Sequence, residues 1–241
     1  MSTSKKIEPK HIKWLDAVKK RERETEVLRV ISKDIFDMED AVNVLSYPPT
    51  NWLRELNLMN QHETVAFNVT GIESDVDEYE KSERWIAPAS NFRMYQNPCN
   101  LQEYLDRSES TETFDIINID WEDSWSTEKE DSIRSLFEKT SRLNEGGLLI
   151  ITLSLQPERL ESNEGFSSGV TFVNLHDDND KDYPEMQRAP GAPENITRVA
   201  GECGVNLSSV LSSSFISSPC QKEGFSKLMG LFIFKRSNEA E

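Results

Sequence analysis

The chain has 241 residues, 36% of them hydrophobic and 29% charged, and carries a formal net charge of -16. That length supports one large domain with its own core, and no run of about 18 apolar residues is present to cross a bilayer, so no membrane partner is expected. The acidic balance repels polyphosphate over most of the surface, which excludes nucleic-acid binding driven by overall charge.

The one basic segment is the beginning, where Lys5, Lys6, Lys10, Lys13, Lys19, Lys20, Arg21, Arg23 and Arg29 accompany Ile12, Leu15 and Val18 at helical spacing. A basic helical extension is expected over residues 1–38, either recruiting RNA, DNA or a protein substrate or packing on its own domain. It lacks the apolar core of a signal peptide, so a cytoplasmic location is expected.

From residue 39 to 237 apolar runs alternate with helical stretches, the pattern of βαβ units and a mostly parallel sheet. "DAVNVLS" (40–46) reads as the first strand, stopped by Tyr47, Pro48 and Pro49 and followed by a helix capped by Thr50. "ETVAFNVTGIE" (63–73) reads as the second strand, then come the acidic helix "SDVDEYEKSERWI", a weaker strand at 91–96 and a helix near "NLQEYLDRS".

The fourth strand is "FDIINID" (114–120), and its continuation "WEDSW" places acids and tryptophans at the tip of a buried strand. In an open α/β sheet, ligands bind beyond the carboxyl ends of the strands, so Asp120, Trp121 and Trp125 are candidates for a site; the alternative is a solvated acidic loop with a tryptophan over the sheet edge. A helix starting at Ser126 is expected to end at Gly146 and Gly147, followed by "LLIITLSL" as a buried central strand. Residues 156–193 read as a long polar insert with one short strand at "VTFVNL". A helix runs from Pro193 to Gly204, two strand-like runs form a terminal antiparallel pair, and 238–241 is a tail.

Five alternating units and a final hairpin resemble the class I S-adenosylmethionine-dependent methyltransferases. The likeness covers residues 40–236 and rests on the order of elements together with Glu73 at the end of the second strand, "FDIINIDW", "RLNEGGLLIITLS" and "ENITRVAGECGVNLSSV". It implies an α/β fold: a Rossmann-like, mostly parallel seven-stranded sheet with a C-terminal antiparallel hairpin and helices on both faces. It also implies S-adenosylmethionine as cofactor and methyl transfer to a nucleic acid or protein. Glu73 would then accept the ribose hydroxyls, Asn97 or Asn100 would contact adenine, and Ser46 and Tyr47 would line the first loop. Asp120 would lie beside the methyl group and orient or deprotonate the acceptor, with Trp121 stacking on it.

Within the class, residues 114–154 are most similar to the tRNA guanine-dimethylating enzymes, whose fourth strand ends in Asp-Pro-Phe-Gly. Here Asp120, Trp121, Glu122 and Asp123 stand instead, without the Pro and Gly that shape the base pocket. The family also places a glycine-rich turn after the first strand so that backbone can approach the cofactor. This chain has Ser46, Tyr47, Pro48, Pro49, Thr50 and Asn51, and no glycine before position 71. Either the cofactor is held in a modified way, or the fold persists as a catalytically silent interaction or structural subunit.

Other chemistries lack support. Cys99, Cys203 and Cys220 form no CxxC pair, which argues against a structural zinc or a disulfide framework. The run 176–182 alternates Asp178, Asp180 and Asp182, but Tyr183 and Ala189 stand where a calcium loop needs Gly and Glu. His11, His62 and His176 accompany no nucleophile motif, and no GxxxxGK loop is present. The glycosylation patterns at Asn68, Asn195 and Asn206 have no secretion signal to make them meaningful.

Overall fold

A computed structural model describes residues 41–47, 65–86, 91–107, 112–121, 124–138, 141–154, 192–216 and 228–237. The predicted helices at 1–38 and 50–61, the 156–190 part of the insert, its "VTFVNL" strand and the 176–182 run lie outside them.

Seven strands form one sheet: β1 Ala41–Ser46, β2 Ala66–Gly71, β3 Phe92–Met94, β4 Phe114–Asp120, β5 Leu143–Ser154, β6 Leu207–Ile216 and β7 Leu228–Arg236. Their order is β3-β2-β1-β4-β5-β7-β6. β1 pairs in parallel with β2 and β4, β2 with β3, and β4 with β5, whereas β7 runs antiparallel between β5 and β6. The expected seven-stranded architecture with a terminal hairpin is therefore present.

The helices among the described residues are α1 Val76–Trp85, α2 Leu101–Arg107, α3 Thr127–Phe137 and α4 Ala192–Glu202. Leu45, Ile117, Leu149 and Ile151 occupy one sheet face and bury α2, α3 and α4 through Leu101, Tyr104, Ile133, Leu136, Ile196 and Val199. Val44, Ile116, Ile150 and Ile233 occupy the other, with Tyr79 of α1 against them. Two apolar layers explain why the central strands read as continuous hydrophobic runs. Each such side chain stabilises the fold by about 1.5–3 kcal/mol on burial.

Local chemistry fixes the helix ends. Asp75 caps α1 by accepting from the amides of Asp77 and Glu78, and Ser126 caps α3 through the amide of Lys129. α4 starts one residue before Pro193, and Gly204 follows its end at φ +77°. α3 and α4 are joined by an ion-pair ring in which Arg134 meets Glu130 and Glu202, and Arg198 meets the same two acids.

One expected boundary is corrected. Gly146 and Gly147 do not end α3, which stops at Phe137; they lie inside β5. There β5 carries extra residues against β4, because Phe114 pairs with Leu143 whereas Ile116 pairs with Leu148. Gly146 takes φ +76° within this bulge, and Gly147 passes so near the carbonyls of Asn144 and Asp115 that a Cβ would lie 2.8 and 2.9 Å from them. Asp115 closes the same bulge, accepting from the Asn144 side chain at 2.7 Å and the Asn43 amide at 2.8 Å.

Candidate functional site

The topology reverses direction between β1 and β4, so the crevice at their carboxyl ends is where a ligand is expected. The structure brings Ser46 and Tyr47 from β1, Glu73 from β2, Tyr95 to Asn100 from the β3 loop, and Asp120 and Trp121 from β4 to this edge.

Between β1 and β4 the strand tips are held together. The buried Asn118 donates from its side-chain amide to the Ser46 hydroxyl at 3.0 Å, and its carbonyl accepts from the Tyr47 amide at 3.0 Å. The Ser46 carbonyl accepts from Ile72 at 2.9 Å. Ser46 thus ties β1 to both neighbours. Asn118 escaped notice in the sequence, although a polar residue amid four apolar ones was its signal.

Tyr47 then turns towards β2 and β3. Its phenol oxygen receives a hydrogen bond from the Leu101 amide at the start of α2, with Cys99, Glu73 and Glu103 around it. Desolvation by burial, reinforced by the nearby thiol and carboxylates, pushes the phenol above its ordinary range, against the pull of the Leu101 amide. The ring packs on the same core as Tyr95 and Tyr104, whose own rings meet edge to face at 5.0 Å.

Glu73 is half-buried, and its carboxylate folds back onto its own loop, accepting from the Asp75 amide at 2.8 Å and from Ser74. Burial raises its pKa above the usual carboxylate value, those two amides oppose the rise, and Asp75 and Glu78 add to it. Asn100 caps α2: its Oδ1 accepts from the Glu103 amide at 2.9 Å, and Glu103 accepts from the Asn100 amide at 3.1 Å. Asn97 is exposed in the loop before it.

At the tip of β4, Asp120 is partly exposed and pairs with Thr152 of β5, and the Trp121 amide donates to the Thr152 carbonyl at 2.8 Å. Trp121 and Trp125 meet edge to face at 6.4 Å, both resting on the core. Lys129, buried in the first turn of α3, lies 5.7 Å from the Trp121 ring centre and donates to the Ser124 carbonyl at 2.6 Å. The two tryptophans thus pack against the core at the end of β4, and Lys129 was not anticipated because its contacts depend on the turn that precedes α3.

Among the described residues, no group of three or more His, Cys, Asp or Glu could hold a metal ion, and no helix is long and apolar enough to cross a membrane.

No protein-family model matches the sequence, and no curated protein matches it either. Solved structures do match in shape. The N-methyltransferase NodS from Bradyrhizobium japonicum shares 16% identity over 92% of this chain and 99% of its own, at a TM-score of 0.50. A Galdieria sulphuraria protein assigned as a sarcosine dimethylglycine methyltransferase shares 10% identity over 91% of this chain and 87% of its own, at 0.54. The Escherichia coli protein yhhF, assigned as a methyltransferase, shares 14% over 91% and 86%, at 0.50. With the strand order, the reversed seventh strand and the helices on both faces, these likenesses identify the architecture: the chain has the fold of the class I S-adenosylmethionine-dependent methyltransferases.

Proposed function

We propose that this protein keeps the methyltransferase fold without methyl transfer and works as an interaction subunit for another protein. The observation that carries the reading is Tyr47: its ring packs on the core among Glu73 after β2 and Cys99 after β3, and its oxygen is bonded to the start of α2. As arranged, the set is a poor fit to S-adenosylmethionine. The prospective ribose acceptor Glu73 holds its own loop, Asn100 caps its own helix and Ser46 holds Asn118. A fold alone does not specify activity, and here the site residues favour a silent one. The basic segment of residues 5–29 is the proposed contact for an acidic partner.

A second reading, an S-adenosylmethionine-dependent methyltransferase acting on a nucleic acid or protein, draws on Glu73 and Asp120 standing at the tips of β2 and β4. Isothermal titration of the folded protein with S-adenosylmethionine and S-adenosylhomocysteine separates the two. Flat titrations are expected for the native chain. Micromolar binding that a Glu73→Ala variant loses would overturn the proposal in favour of the enzyme.

A further inference from the structure

The two edges of the sheet differ in kind. β3 is three residues long and carries Arg93, which bonds Thr70 at 3.1 Å and pairs with Glu112 at 2.8 Å. Short length and charge are the usual protections of a sheet edge. β6, at the other end, spans ten residues, LSSVLSSSFI, without a charge or a proline. Its inner side pairs with β7 along its length, and no strand among the described residues pairs with its outer side. Ser208, Ser209, Val210 and Ser212 are exposed, with Val210 at 44%. Among the described residues its protective device is the bulge between Ser209 and Leu211.

We infer that β6 is a docking edge for β6 of a second copy of this chain, paired antiparallel about a two-fold axis so that two seven-stranded sheets become continuous. Charge decides between this occupant and others of the chain's own kind of surface. Two chains of net charge -16 repel across most approaches, whereas along β6 neither brings a charged side chain to the pairing edge. Antiparallel pairing of a strand with itself is isologous, so it uses up both β6 edges and closes as a dimer, leaving at each end only the short, charged β3. Ser209 and Ser212 hold register positions on one sheet face, opposite Phe234 and Phe232, so the two-fold brings serine-bearing stretches together, and cross-strand hydroxyl pairs are favourable in sheets.

The test is sedimentation velocity of the full chain from low to high micromolar concentration, with light scattering for mass. The native protein is expected to reach twice 27.6 kDa. Ser212→Lys and Val210→Lys each place a charge on the edge at an exposed position and are expected to raise the dissociation constant by about tenfold or more. Both are checked for an unchanged thermal midpoint, so that loss of the dimer is not loss of the fold. Val76→Lys, at the other exposed large apolar residue among the described ones, is expected to leave the dimer intact. A native chain that stays monomeric throughout, or a dimer indifferent to both edge lysines, overturns the inference. So does a monomer whose 208–212 amides gain exchange protection only when an uncharged extended peptide is added, which would assign the edge to a different chain.

Discussion

The side-chain amide of Asn118 donates to the Ser46 hydroxyl at 3.0 Å, across the point where the sheet changes direction. Both residues are almost wholly enclosed, with 4% and 0% of their surfaces exposed. Asn118→Ala removes this bond from the hydroxyl's side, and Ser46→Ala removes it from the buried amide's side. Each is expected to destabilise by about 1–3 kcal/mol. The double variant should lose about 0.5 kcal/mol or more less than the sum, because the second change finds the bond already gone. Urea unfolding of the four proteins checks this; strict additivity would mean that the pair does not act as one unit.

Adjacent glycines in β5 should respond differently. Gly147→Ala puts a methyl group 2.8 Å from the Asn144 carbonyl and 2.9 Å from that of Asp115, both backbone atoms that cannot swing away. A loss of about 2–4 kcal/mol is expected. Gly146→Ala meets nothing within 4 Å and bears only the strain of φ +76°, about 1–2 kcal/mol. The comparison is made on unfolding midpoints, and equal losses would refute the steric account.

Alkali should weaken the fold in two steps. Burial pushes the Cys99 thiol up to about 11, with Glu103 adding to the rise. Tyr104 rises to about 12, burial first, with Glu112 contributing. A group raised in the folded state lends stability that is complete below its unfolded value and disappears as pH climbs towards the folded one. Cys99 therefore begins to weaken the protein near pH 9, and the tyrosines begin about a unit later. Cys99→Ala should reduce the loss in this first window, leaving what the Cys203 thiol, also raised by burial, contributes; an unchanged profile between pH 8.5 and 10 would exclude the Cys99 thiol.

Glu73 offers the same sign at the acidic end. Its raised pKa means that the neutral carboxyl suits the fold better, so its contribution is present below the unfolded value near 4.3 and is lost as pH rises through the folded one. Glu73→Gln keeps an oxygen for the Asp75 amide and removes the charge. Its thermal midpoint at pH 7 is expected to equal or exceed that of the native protein, with a flatter profile from pH 4 to 7. A lower midpoint would mean that the carboxylate is needed to hold its loop.

The ion-pair ring between α3 and α4 should matter little. Its members are a quarter to nearly half exposed, so Arg198→Ala is expected to cost under about 1 kcal/mol, shrinking further in 0.5 M salt. A loss of several kcal/mol, measured by chemical unfolding, would show that the ring holds α4 in place.

Much of the fold could be read from periodicity, since β4 and β5 are buried on both faces and stand out as "FDIINID" and "LLIITLS". The error at Gly146 and Gly147 came from chemistry shared by two structures: glycines after polar residues suit a helix terminus and a bulge equally, and only the β4 partner distinguishes them. At the site, the sequence marked the loop after β1 as lacking glycine but held no information on where Tyr47 points. That depends on α2 beginning above the tip of β1, a long-range result of strand order. Asn100 and Glu103 already displayed a capping-box spacing, which was the better guide to Asn100 than its position after β3.

The bulge at Val210 has a consequence beyond the edge it roughens. Before it, Leu207 shares a face with Phe234; after it, Leu211 shares the opposite face with Ile233. The extra residue inverts the alternation, so one strand supplies a leucine to each layer of the core. Val210 is thus a phase shifter whose identity matters less than its existence. Many residues can stand there, but deleting it would turn one of the two leucines out of its layer, and an exposed position tolerant of substitution would be intolerant of loss.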